Sequence, residues 1–431
     1  MITRKSYKAG LVLVAVLWLV VLLTVMSAAV GRNSRLDTKV SVLRTEHLRC
    51  KWAGRAGVET AIGLLNDDLK ALDSLDELWS DNDEDYNDVP LEGCRFTVKV
   101  IDEASKLNVN TATKEQLLGL WDMTEETADA IIDWRDSNDE VSGSGVEGGY
   151  YENMPYAYVI RNGPFRTVRE LLMVRGVTEQ FLYGEDTNLN GQLDYNERDG
   201  DETAPADNGD DELDLGWIAY LTCYSYDLNT DADEESRVNI NTANEGTLQS
   251  SLGISRAQAR WIVENRSYDS IGDLISNSSP TEASSSGGGS DNAQQMDLAT
   301  FYTIADRITV DGGNQIEGKV NINTASVLVL SALLGADDEA DRVASEIVAY
   351  RETSLTGMQS IADILQAGVV SLEQFKEIAN SITTRSNVFT VRCFATAERG
   401  VRDGSKFYTE AVVDRSSSPA KILYWYQGAN Y

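Results

Sequence analysis

Twelve consecutive residues, 186–197, carry the oxygen-rich pattern of a calcium-binding loop. In the EF-hand pattern, positions 1, 3 and 5 bear oxygen side chains, position 6 is glycine, and position 12 is a glutamate that binds with both oxygens. Leu193, at position 8, is expected to point inward and hold the loop on the fold. Gln192 is expected to bind through its backbone carbonyl and Asp194 through a water molecule. The predicted ligands are Asp186, Asn188, Asn190, Gln192, Asp194 and Glu197. Because these are hard oxygen ligands, the loop favours Ca²⁺ over transition metals.

The residues beyond this loop limit it to a structural role. Residues 198–201 lack the pattern of the exit helix that a paired sensor hand requires, so we expect an isolated loop. A solvated acidic turn without an ion is the alternative interpretation. Aspartates further along could add ligands, although no spacing selects among them: Asp199, Asp201, Asp207, Asp210 and Asp211.

The composition disfavours several other chemistries. The chain of 431 residues has a formal net charge of −32, and such an acidic surface repels nucleic acids and anionic lipid headgroups. The cysteines lie far apart without a CxxC pair, which disfavours a zinc site. In an oxidising compartment the four cysteines could form two disulfides, with three possible connectivities. They are Cys50, Cys94, Cys223 and Cys393. The single histidine, His47, lies on the stripe of a predicted helix and is expected to serve packing. Because no pair of a nucleophile and a base is evident, we expect a non-enzymatic protein.

The N-terminal region predicts a membrane segment. Residues 11–30 contain no charged side chain and are long enough, as a helix, to span a bilayer. Arg4, Lys5 and Lys8 precede Gly10, and these cations favour a cytoplasmic N-terminus with the rest of the chain on the far side. Three interpretations are open: a plain anchor, a cleaved secretory signal that uses the small residues 27–29, and a prepilin leader that is cut after Gly10.

Residues 32–67 contain no proline and are predicted to continue the helix beyond the membrane. One stripe, spaced alternately by four and three residues, is bulkier in its first half and small in its second. Because a face of glycine and alanine lets a helix lie close against a sheet, we predict one continuous rod. The stripe consists of Leu36, Val40, Leu43, His47, Cys50, Gly54, Gly57, Ala61 and Leu64.

A seven-residue motif occurs three times: KLNVNTA at residues 106–112, RVNINTA at 237–243 and KVNINTA at 319–325. Helical stretches follow each copy and end in Arg135, Arg266 and Arg351. We expect the Thr or Asn of the motif to cap the first helix of each unit. The units resemble helix-hairpin-helix modules, which suggests DNA binding, but their turns lack the second glycine and two of them carry acids where phosphate would lie. We therefore expect scaffold units that contact protein, and no nucleic acid.

Strand-like runs surround these units. One precedes each repeat, at residues 95–101, 217–226 and 301–310. Three more follow the last repeat as an antiparallel meander, at residues 388–397, 406–413 and 420–426, with turns at 400–404 and 416–419. The predicted fold class is α+β: a long N-terminal helix on an antiparallel sheet, with helical units inserted between strands.

These features together resemble the minor pseudopilin K (GspK) family of type II secretion systems. They are a basic leader ending in glycine, an apolar helix that continues into the ectodomain, a strand leading into KLNVNTA, and GPFRTVRELLMVRGV at residues 163–177. Tyr150, Tyr151, Pro155 and Tyr156, ahead of that last segment, also fit the family. The resemblance covers most of the chain.

The resemblance implies a pilin-like fold with a large helical insertion, bound calcium, and a place at the tip of the periplasmic pseudopilus that drives protein export. It implies cleavage after Gly10 by a prepilin peptidase, methylation at Leu11, and a single-pass inner-membrane location with a periplasmic ectodomain. Fifth in the mature chain would be Ala15, where most pilin-like subunits have a glutamate that pairs with a neighbour's amine; a tip subunit has no neighbour ahead. The expected partners are other minor pseudopilins, the prepilin peptidase, and secreted substrates or the outer-membrane channel.

The predicted organisation is, in order, leader 1–10, transmembrane half-helix 11–30, periplasmic half-helix 31–72, first sheet strand 94–102, helical unit 1 103–183, calcium-binding acidic loop 184–215, strand plus helical unit 2 216–280, flexible linker 281–297, strand plus helical unit 3 298–385, and C-terminal strands 386–431. The third repeat and the linker exceed the family's usual insertion. Two alternatives stay open: a membrane-anchored helix-hairpin-helix protein of DNA uptake, and a calcium-stabilised anchored surface protein.

Overall fold

A helix of 60 residues, α1 (Lys8–Asp67), dominates the computed structural model. The structure describes residues 8–200, 202–275, 294–354, 356–398 and 405–429. Outside the described residues lie residues 1–7 of the predicted leader, Asp201, most of the predicted linker 281–297, and the predicted turn at 400–404. Because α1 runs without a break from the apolar span into the ectodomain, the predicted continuous rod is confirmed.

The other α-helices of the described residues are short. They are α2 (Asp83–Tyr86), α3 (Lys114–Leu118), α4 (Glu125–Arg135), α5 (Gly148–Glu152), α6 (Glu179–Tyr183), α7 (Glu245–Leu252), α8 (Arg256–Glu264), α9 (Leu298–Ile304), α10 (Val327–Leu334), α11 (Asp338–Thr353), α12 (Asp363–Gln366) and α13 (Leu372–Ile378). The strands are β1 (Val89–Leu91), β2 (Cys94–Asp102), β3 (Leu107–Asn108), β4 (Leu221–Thr222), β5 (Tyr226–Asp227), β6 (Val238–Asn239), β7 (Ile308–Thr309), β8 (Ile316–Glu317), β9 (Val320–Asn321), β10 (Ile382–Thr383), β11 (Val388–Ala397), β12 (Lys406–Asp414) and β13 (Lys421–Ala429).

The main sheet has the strand order β1-β2-β11-β12-β13, and every neighbouring pair is antiparallel. β11, β12 and β13 form the C-terminal meander that the alternating pattern predicts, and β2 is the strand predicted ahead of the first repeat. Alternate side chains of β2 are buried, because α1 covers one face of the sheet. The predicted α+β, pilin-like fold is therefore confirmed.

The second half of α1 packs on β2, β11 and β12 through its small residues. A Cβ at Gly54 would lie 2.5 Å from Thr409 Oγ1, and a Cβ at Gly57 would lie 2.5 Å from Cys393 Sγ, so neither position has space for a side chain. The apolar residues in the first half of the stripe, within 36–43, are exposed. The predicted stripe thus contacts the sheet along its second half and presents an open face along its first.

All the helical units lie in one connection, residues 103–387, between the neighbouring strands β2 and β11. The prediction that helical units are inserted between strands is confirmed, and one pair of strands holds all three units. The connection leaves β2 at Asp102, whose carboxylate accepts hydrogen bonds from Thr324 Oγ1 (2.6 Å) and Asn321 Nδ2 (3.0 Å) of the third repeat. The third repeat is therefore bonded directly to the point where the insertion begins.

The insertion begins at the end of the sheet that is farther from the apolar span. Cys50 of α1 contacts Cys94 at the start of β2, whereas Gly57, two turns further from the span, faces Val98 in the middle of the strand. β2 and the later part of α1 therefore run in the same direction. Since β2 ends at Asp102, the insertion extends from the end of the sheet that lies away from the membrane segment.

Two predicted strands do not join the main sheet. Residues 217–226 form the 3-10 helix Trp217–Ala219 followed by β4, and residues 301–310 hold most of α9 followed by β7. β4, β7 and β10 pair in parallel with β3, β6 and β9, which are the second and third residues of the three repeat motifs. Each repeat is closed by a two-residue parallel ladder, and local alternation cannot distinguish such a ladder from a strand of a large sheet.

The repeated residues form the same clamp in each unit. The second asparagine of the motif bonds the backbone N–H and C=O of one later residue at 2.7–3.1 Å, in the pairs Asn110–Phe165, Asn241–Tyr268 and Asn323–Met358. An arginine at or near the end of the second helix donates to two motif carbonyls: Arg135 to Val109 and Ala112, Arg266 to Ile240 and Ala243, and Arg351 to Ile322 and Ala325. The arginines thus hold protein backbone, as a scaffold requires.

The prediction that the Thr or Asn of the motif caps the first helix is wrong. The cap is the residue just after the motif: Thr113, Asn244 and Ser326 accept from backbone N–H groups of α3, α7 and α10. The second asparagine of each motif cannot serve as the cap because its side chain forms the clamp.

Cys50 Sγ and Cys94 Sγ lie 3.4 Å apart, and both residues are fully buried between α1 and the sheet. All four cysteines are free thiols in the structure. Of the three connectivities that the sequence leaves open, this contact favours the one that contains Cys50–Cys94.

Candidate functional site

The predicted calcium loop is closed at its base. Gly184 and Leu215 form an antiparallel bridge, and the Glu185 N–H donates to the Asp214 carbonyl at 2.9 Å. The Glu185 carboxylate accepts the Asp214 N–H in return at 3.0 Å. The loop is therefore a closed excursion from the insertion, and its ends are fixed independently of any ion.

The loop lies against the main sheet through residues that the sequence did not indicate. Leu189 is 5% exposed and its carbonyl accepts from Arg392 of β11 at 3.4 Å, whereas Leu193, the predicted anchor, is only half-buried. Lys99 of β2 approaches the turn, since its Nζ would lie 2.9 Å from a Cβ at Gly191. Burial and Arg392 lower the pKa of Lys99. No sequence signal identifies these contacts, because they depend on where the loop folds onto the sheet.

Four of the predicted ligands share one hydrogen-bond network. The Asp186 carboxylate accepts the backbone N–H groups of Asn190 and Gly191, each at 2.9 Å. The Asn188 Oδ1 accepts the Asn190 N–H at 3.0 Å, and the side-chain NH₂ groups of both asparagines donate to Asp194 Oδ2 at 2.8 Å. Gly191 has φ +67°, which is the sharp turn that position 6 requires.

Glu197 is the most deeply buried of the predicted ligands, at 1% exposed. Its Oε2 accepts the Asp194 N–H at 2.9 Å, while its Oε1 has no partner. Burial, together with the nearby carboxylates of Asp186, Asp194 and Glu185, raises the pKa of Glu197. A buried carboxylate oxygen without a partner is costly, and a bound cation would supply that partner.

Ion binding would require some side chains of the loop to change their orientation. The Gln192 side chain is exposed, and its backbone N–H donates to Asn190 Oδ1 at 2.6 Å. The amide NH₂ groups of Asn188 and Asn190 face Asp194, so ion binding requires these amides to turn their oxygens inward. Two sets of three carboxylates within the described residues have oxygens within 4.8 Å of one another, and both lie outside the loop 186–197. They are Asp68, Asp73 and Glu77, and Asp133, Asp136 and Glu147.

The loop ends in the single 3-10 turn Tyr195–Glu197, and residues 198–200 do not continue it as a helix. The arrangement is therefore an isolated loop with an oxygen-rich interior. Chemically, it can hold one hard cation and join the insertion to the sheet.

The apolar end of α1 is the second functional feature. Within the described part of the chain, α1 is the one helix that is long and apolar enough to cross a membrane. Its apolar stretch of 18 residues has a mean hydropathy of 2.8. Leu11, the predicted mature N-terminus, lies inside this helix and is 77% exposed, and the backbone of Gly10 is helical as well.

The segment that carries the sequence resemblance forms an aromatic core in the first helical unit. Trp134 packs edge-on against Tyr151 (5.4 Å between ring centroids) and is stacked on Phe165 (6.1 Å). The buried Tyr151 hydroxyl accepts the Arg175 N–H at 3.2 Å, which fixes the end of the segment. The residue types of this segment are therefore explained by packing.

Two comparisons with known proteins gave a match. Residues 95–183 match the family model described as Type II secretion system (T2SS), protein K. The search of curated protein sequences gave no match. Among solved structures, the chain is similar to the crystal structure of the GspK-GspI-GspJ complex from the enterotoxigenic Escherichia coli type 2 secretion system, with 14% identity, coverage of 89% of this chain and 98% of that chain, and a TM-score of 0.47.

The family match covers nearly all of β2 and the first helical unit to the end of α6, including residues 163–177, on which the sequence resemblance depends. The predicted resemblance is confirmed over residues 95–183, which match the protein K family of type II secretion systems.

Proposed function

We propose that this chain is a minor pseudopilin that forms the tip of the pseudopilus and acts mechanically, without catalysis. The observation that supports the proposal is the position of the insertion: residues 103–387 leave and rejoin the sheet at the end away from the apolar span. In a filament whose subunits stack along their N-terminal helices, bulk at that end blocks the addition of a further subunit. Such a shape suits the end of a filament.

The anchor supports the same position. We infer a single-pass inner-membrane protein with a periplasmic ectodomain, in which a prepilin peptidase cleaves after Gly10 and leaves Leu11 as the N-terminal residue. Ala15 is then fifth, where a carboxylate would need a neighbour's amine to avoid being unpaired in the hydrocarbon. An uncharged residue there is the stable choice for a subunit with no neighbour ahead.

The partners we propose are the N-terminal helices of other minor pseudopilins. From the end of the span to the first part that lies beside the sheet, α1 exposes apolar side chains, notably Leu36 (51% exposed), Leu43 (46%), Leu48 (54%) and Trp52 (60%). Apolar side chains in contiguous patches mark sites where another protein packs. The secreted substrate or the outer-membrane channel would then meet the insertion.

A photo-crosslinking experiment in cells that carry the secretion machinery tests the tip position. A photoreactive phenylalanine analogue replaces Trp52 on α1 or, as the matched control, Tyr156, which is 91% exposed on the insertion. We expect crosslinks to pseudopilins from position 52 and none from position 156. Equal crosslinking to pseudopilins from both positions would contradict the tip assignment, since filament subunits would then surround the insertion.

We also propose that the loop 186–197 binds Ca²⁺. The unpartnered Glu197 Oε1, the buried Asp186 and the amide oxygens supply a set of hard ligands. Because the loop contacts β2 and β11 through Lys99, Leu189 and Arg392, the ion would stabilise the junction between insertion and sheet. Its role is structural.

The variant Glu197→Gln tests this assignment, with Glu202→Gln, an exposed glutamate just beyond the loop, as the control. For the wild type, Ca²⁺ at one hundred times its dissociation constant adds about 2.7 kcal/mol to the free energy of unfolding, which EGTA removes. Glu197→Gln should lose this increment and Glu202→Gln should keep it. The same calcium-dependent rise in melting temperature in Glu197→Gln as in the wild type would refute the loop site.

A further inference from the structure

Three basic residues of α1 lie just beyond the apolar span: Arg32, Arg35 and Lys39, called the juxtamembrane cations below. All three are exposed, and they follow Val30, the last residue of the span, by two, five and nine positions. For a helix along the bilayer normal, a rise of about 1.5 Å per residue places their Cα atoms about 3, 8 and 14 Å beyond the hydrocarbon. Because the headgroup layer adds about 5–8 Å on each side, Arg32 and Arg35 lie at headgroup depth. Helical side chains lean toward the N-terminus, here toward the membrane, so Lys39 can reach back to the headgroups.

The juxtamembrane cations share one face of α1. Successive residues of an α-helix are turned by about 100°, so the spacings of three and four residues place the cations within an arc of about 60°. Asp37, the one acidic residue in the sequence from 31 to 44, lies about 140–160° away from them around the helix. The first ion pair along the described part of α1 is Arg55 with Glu59, so the juxtamembrane cations have no ionic partner among the described residues.

A groove on the surface of α1 leads from the span to the juxtamembrane cations. It has a volume of about 870 Å³, and the small residues Thr24, Ser27, Ala28 and Gly31 line it together with the three cations. A Cβ at Gly31 would meet no atom within 4 Å, so there is open space beside this position. Because small side chains allow a neighbour to approach the helix closely, the groove has room for an acyl chain at the depth of the lipid tails.

The juxtamembrane cations are a local exception in an acidic chain. The formal net charge of the whole chain is −32, which by itself repels anionic lipids. However, Glu46 is the first buried residue of α1, so the ectodomain begins roughly 24 Å beyond Val30. The Debye length at physiological salt is about 8 Å, so the acidic ectodomain is about two Debye lengths from the headgroups. Its repulsion is therefore largely screened where the cations lie.

We propose that the juxtamembrane cations bind the headgroup phosphate of an anionic phospholipid, whose acyl chain lies along the groove that begins at Thr24. A guanidinium group can donate two parallel hydrogen bonds to phosphate oxygens, which suits Arg32 and Arg35. The bound lipid fixes the depth of α1 in the membrane. Lipid binding rests on the proposed membrane span, but it goes beyond the proposed function, because it depends neither on the tip position nor on cleavage after Gly10.

The position of the cations favours a lipid over an acidic side chain of a neighbouring subunit. Arg32 and Arg35 lie at the depth of the headgroups, where phosphates are the abundant anions. An acidic side chain would need only the cations, whereas a phospholipid also accounts for the groove that continues into the span.

The test measures which lipids the full chain retains in detergent. The immobilised chain is incubated with equal amounts of anionic phosphatidylglycerol and of phosphatidylcholine, which has no net charge, and the retained lipids are quantified by mass spectrometry after washing. At about 1 kcal/mol for each cation in the headgroup layer, Arg32 and Arg35 correspond to a preference for phosphatidylglycerol of about thirtyfold. Salt at 1 M should remove most of this preference, because the Debye length then falls to about 3 Å.

Two pairs of substitutions separate a local site from the net charge. Arg32→Gln with Arg35→Gln should lose most of the preference for phosphatidylglycerol, and Arg32→Lys with Arg35→Lys should keep most of it. The matched control, Arg44→Gln with Arg49→Gln, removes the same charge from exposed positions of the same helix, roughly 21 and 29 Å beyond Val30. This control should retain the wild-type preference. Circular dichroism checks that each variant keeps its helix.

An equal preference in the wild type and in Arg32→Gln with Arg35→Gln would overturn the proposal, as would an equal loss in that variant and in the control. Displacement of phosphatidylglycerol by inorganic phosphate, compared with chloride at equal ionic strength, would also overturn it, because free phosphate does not occupy the groove. A wild type without any preference would leave the juxtamembrane cations to the acidic side chains of a neighbouring subunit. The assay uses the purified chain, so failure of the tip position in the crosslinking experiment is distinguishable from failure here.

Discussion

The contact between α1 and the sheet makes a quantitative prediction at Gly57. A methyl group there would lie 2.5 Å from Cys393 Sγ, 2.9 Å from Val98 Cγ2 and 3.1 Å from Phe96 Cδ2. Favourable contacts lie at about 3.5–4.0 Å, so the methyl group overlaps its nearest neighbour by about 1 Å. Overpacking of a core costs about 1–3 kcal/mol, and we place this site at the upper end because all three neighbours are buried.

The helix itself gains from the same substitution. Alanine is favoured over glycine in a helix interior by about 1 kcal/mol, so the expected net loss for Gly57→Ala is about 2 kcal/mol of unfolding free energy. Gly63, on the same helix, is the matched control: a Cβ there meets no atom within 4 Å, and the position is exposed. Gly63→Ala should therefore stabilise the protein by up to about 1 kcal/mol.

Urea unfolding of the full chain in detergent, followed by circular dichroism and by tryptophan fluorescence, to which the buried Trp79 contributes, measures both variants. Trp79 packs on Phe389 of β11 with 4.9 Å between ring centroids, so it reports on the core beneath α1. The reasoning predicts opposite signs and a difference of about 3 kcal/mol between the two variants. Equal stabilisation by Gly57→Ala and Gly63→Ala would refute it, because α1 could not then lie this close to the sheet.

Two further predictions concern buried groups beside the main sheet. Lys106 pairs with Glu103 at 2.8 Å, and although burial alone would raise the pKa of Glu103, the Lys106 ammonium and two hydroxyl donors lower that pKa below the ordinary 4.5. Glu103→Gln should therefore lower the unfolding free energy by about 3 kcal/mol at pH 7, because it leaves Lys106 buried without its partner. In urea unfolding, this difference should shrink as the pH falls below about 4.5, since the wild type then loses the pair; a difference that does not change with pH would contradict the prediction. With oxidised glutathione as the oxidant, Cys50 and Cys94 should form a disulfide and release two glutathione thiols. Peptide mapping without reduction should find this disulfide in the wild type and in Cys223→Ser. A different disulfide partner for Cys50 would contradict the prediction that rests on the 3.4 Å contact.

The parts of the fold that the sequence predicts correctly are those with a strong local pattern. The rod follows from an unbroken apolar run and the small-residue stripe, and the C-terminal meander follows from alternation. The route of the chain between β2 and β11 could not be predicted, because the pairing of Asp102 with Phe389 has no local signature. Residues 217–226 and 301–310 were misassigned for the same reason, since two-residue ladders depend on a distant partner.

The candidate sites divide in the same way. The spacing of residues 186–197 identifies the loop, but its contacts with Lys99 and Arg392 appear only when the loop lies on the sheet. The cluster that includes Asp133 and Glu147 has no recognisable spacing. It arises because the glycines of the connecting loop bring a residue fourteen positions away back to the end of α4.

The N-terminus of the protein purified from its native membrane tests the central claim most directly. A minor pseudopilin that is processed after Gly10 should begin at Leu11 and carry an N-methyl group, as read by mass spectrometry of the N-terminal peptide. A chain that begins at Met1, or within the small residues that end the span, would contradict assembly into a pseudopilus and leave a membrane-anchored or secreted protein built from helical repeats.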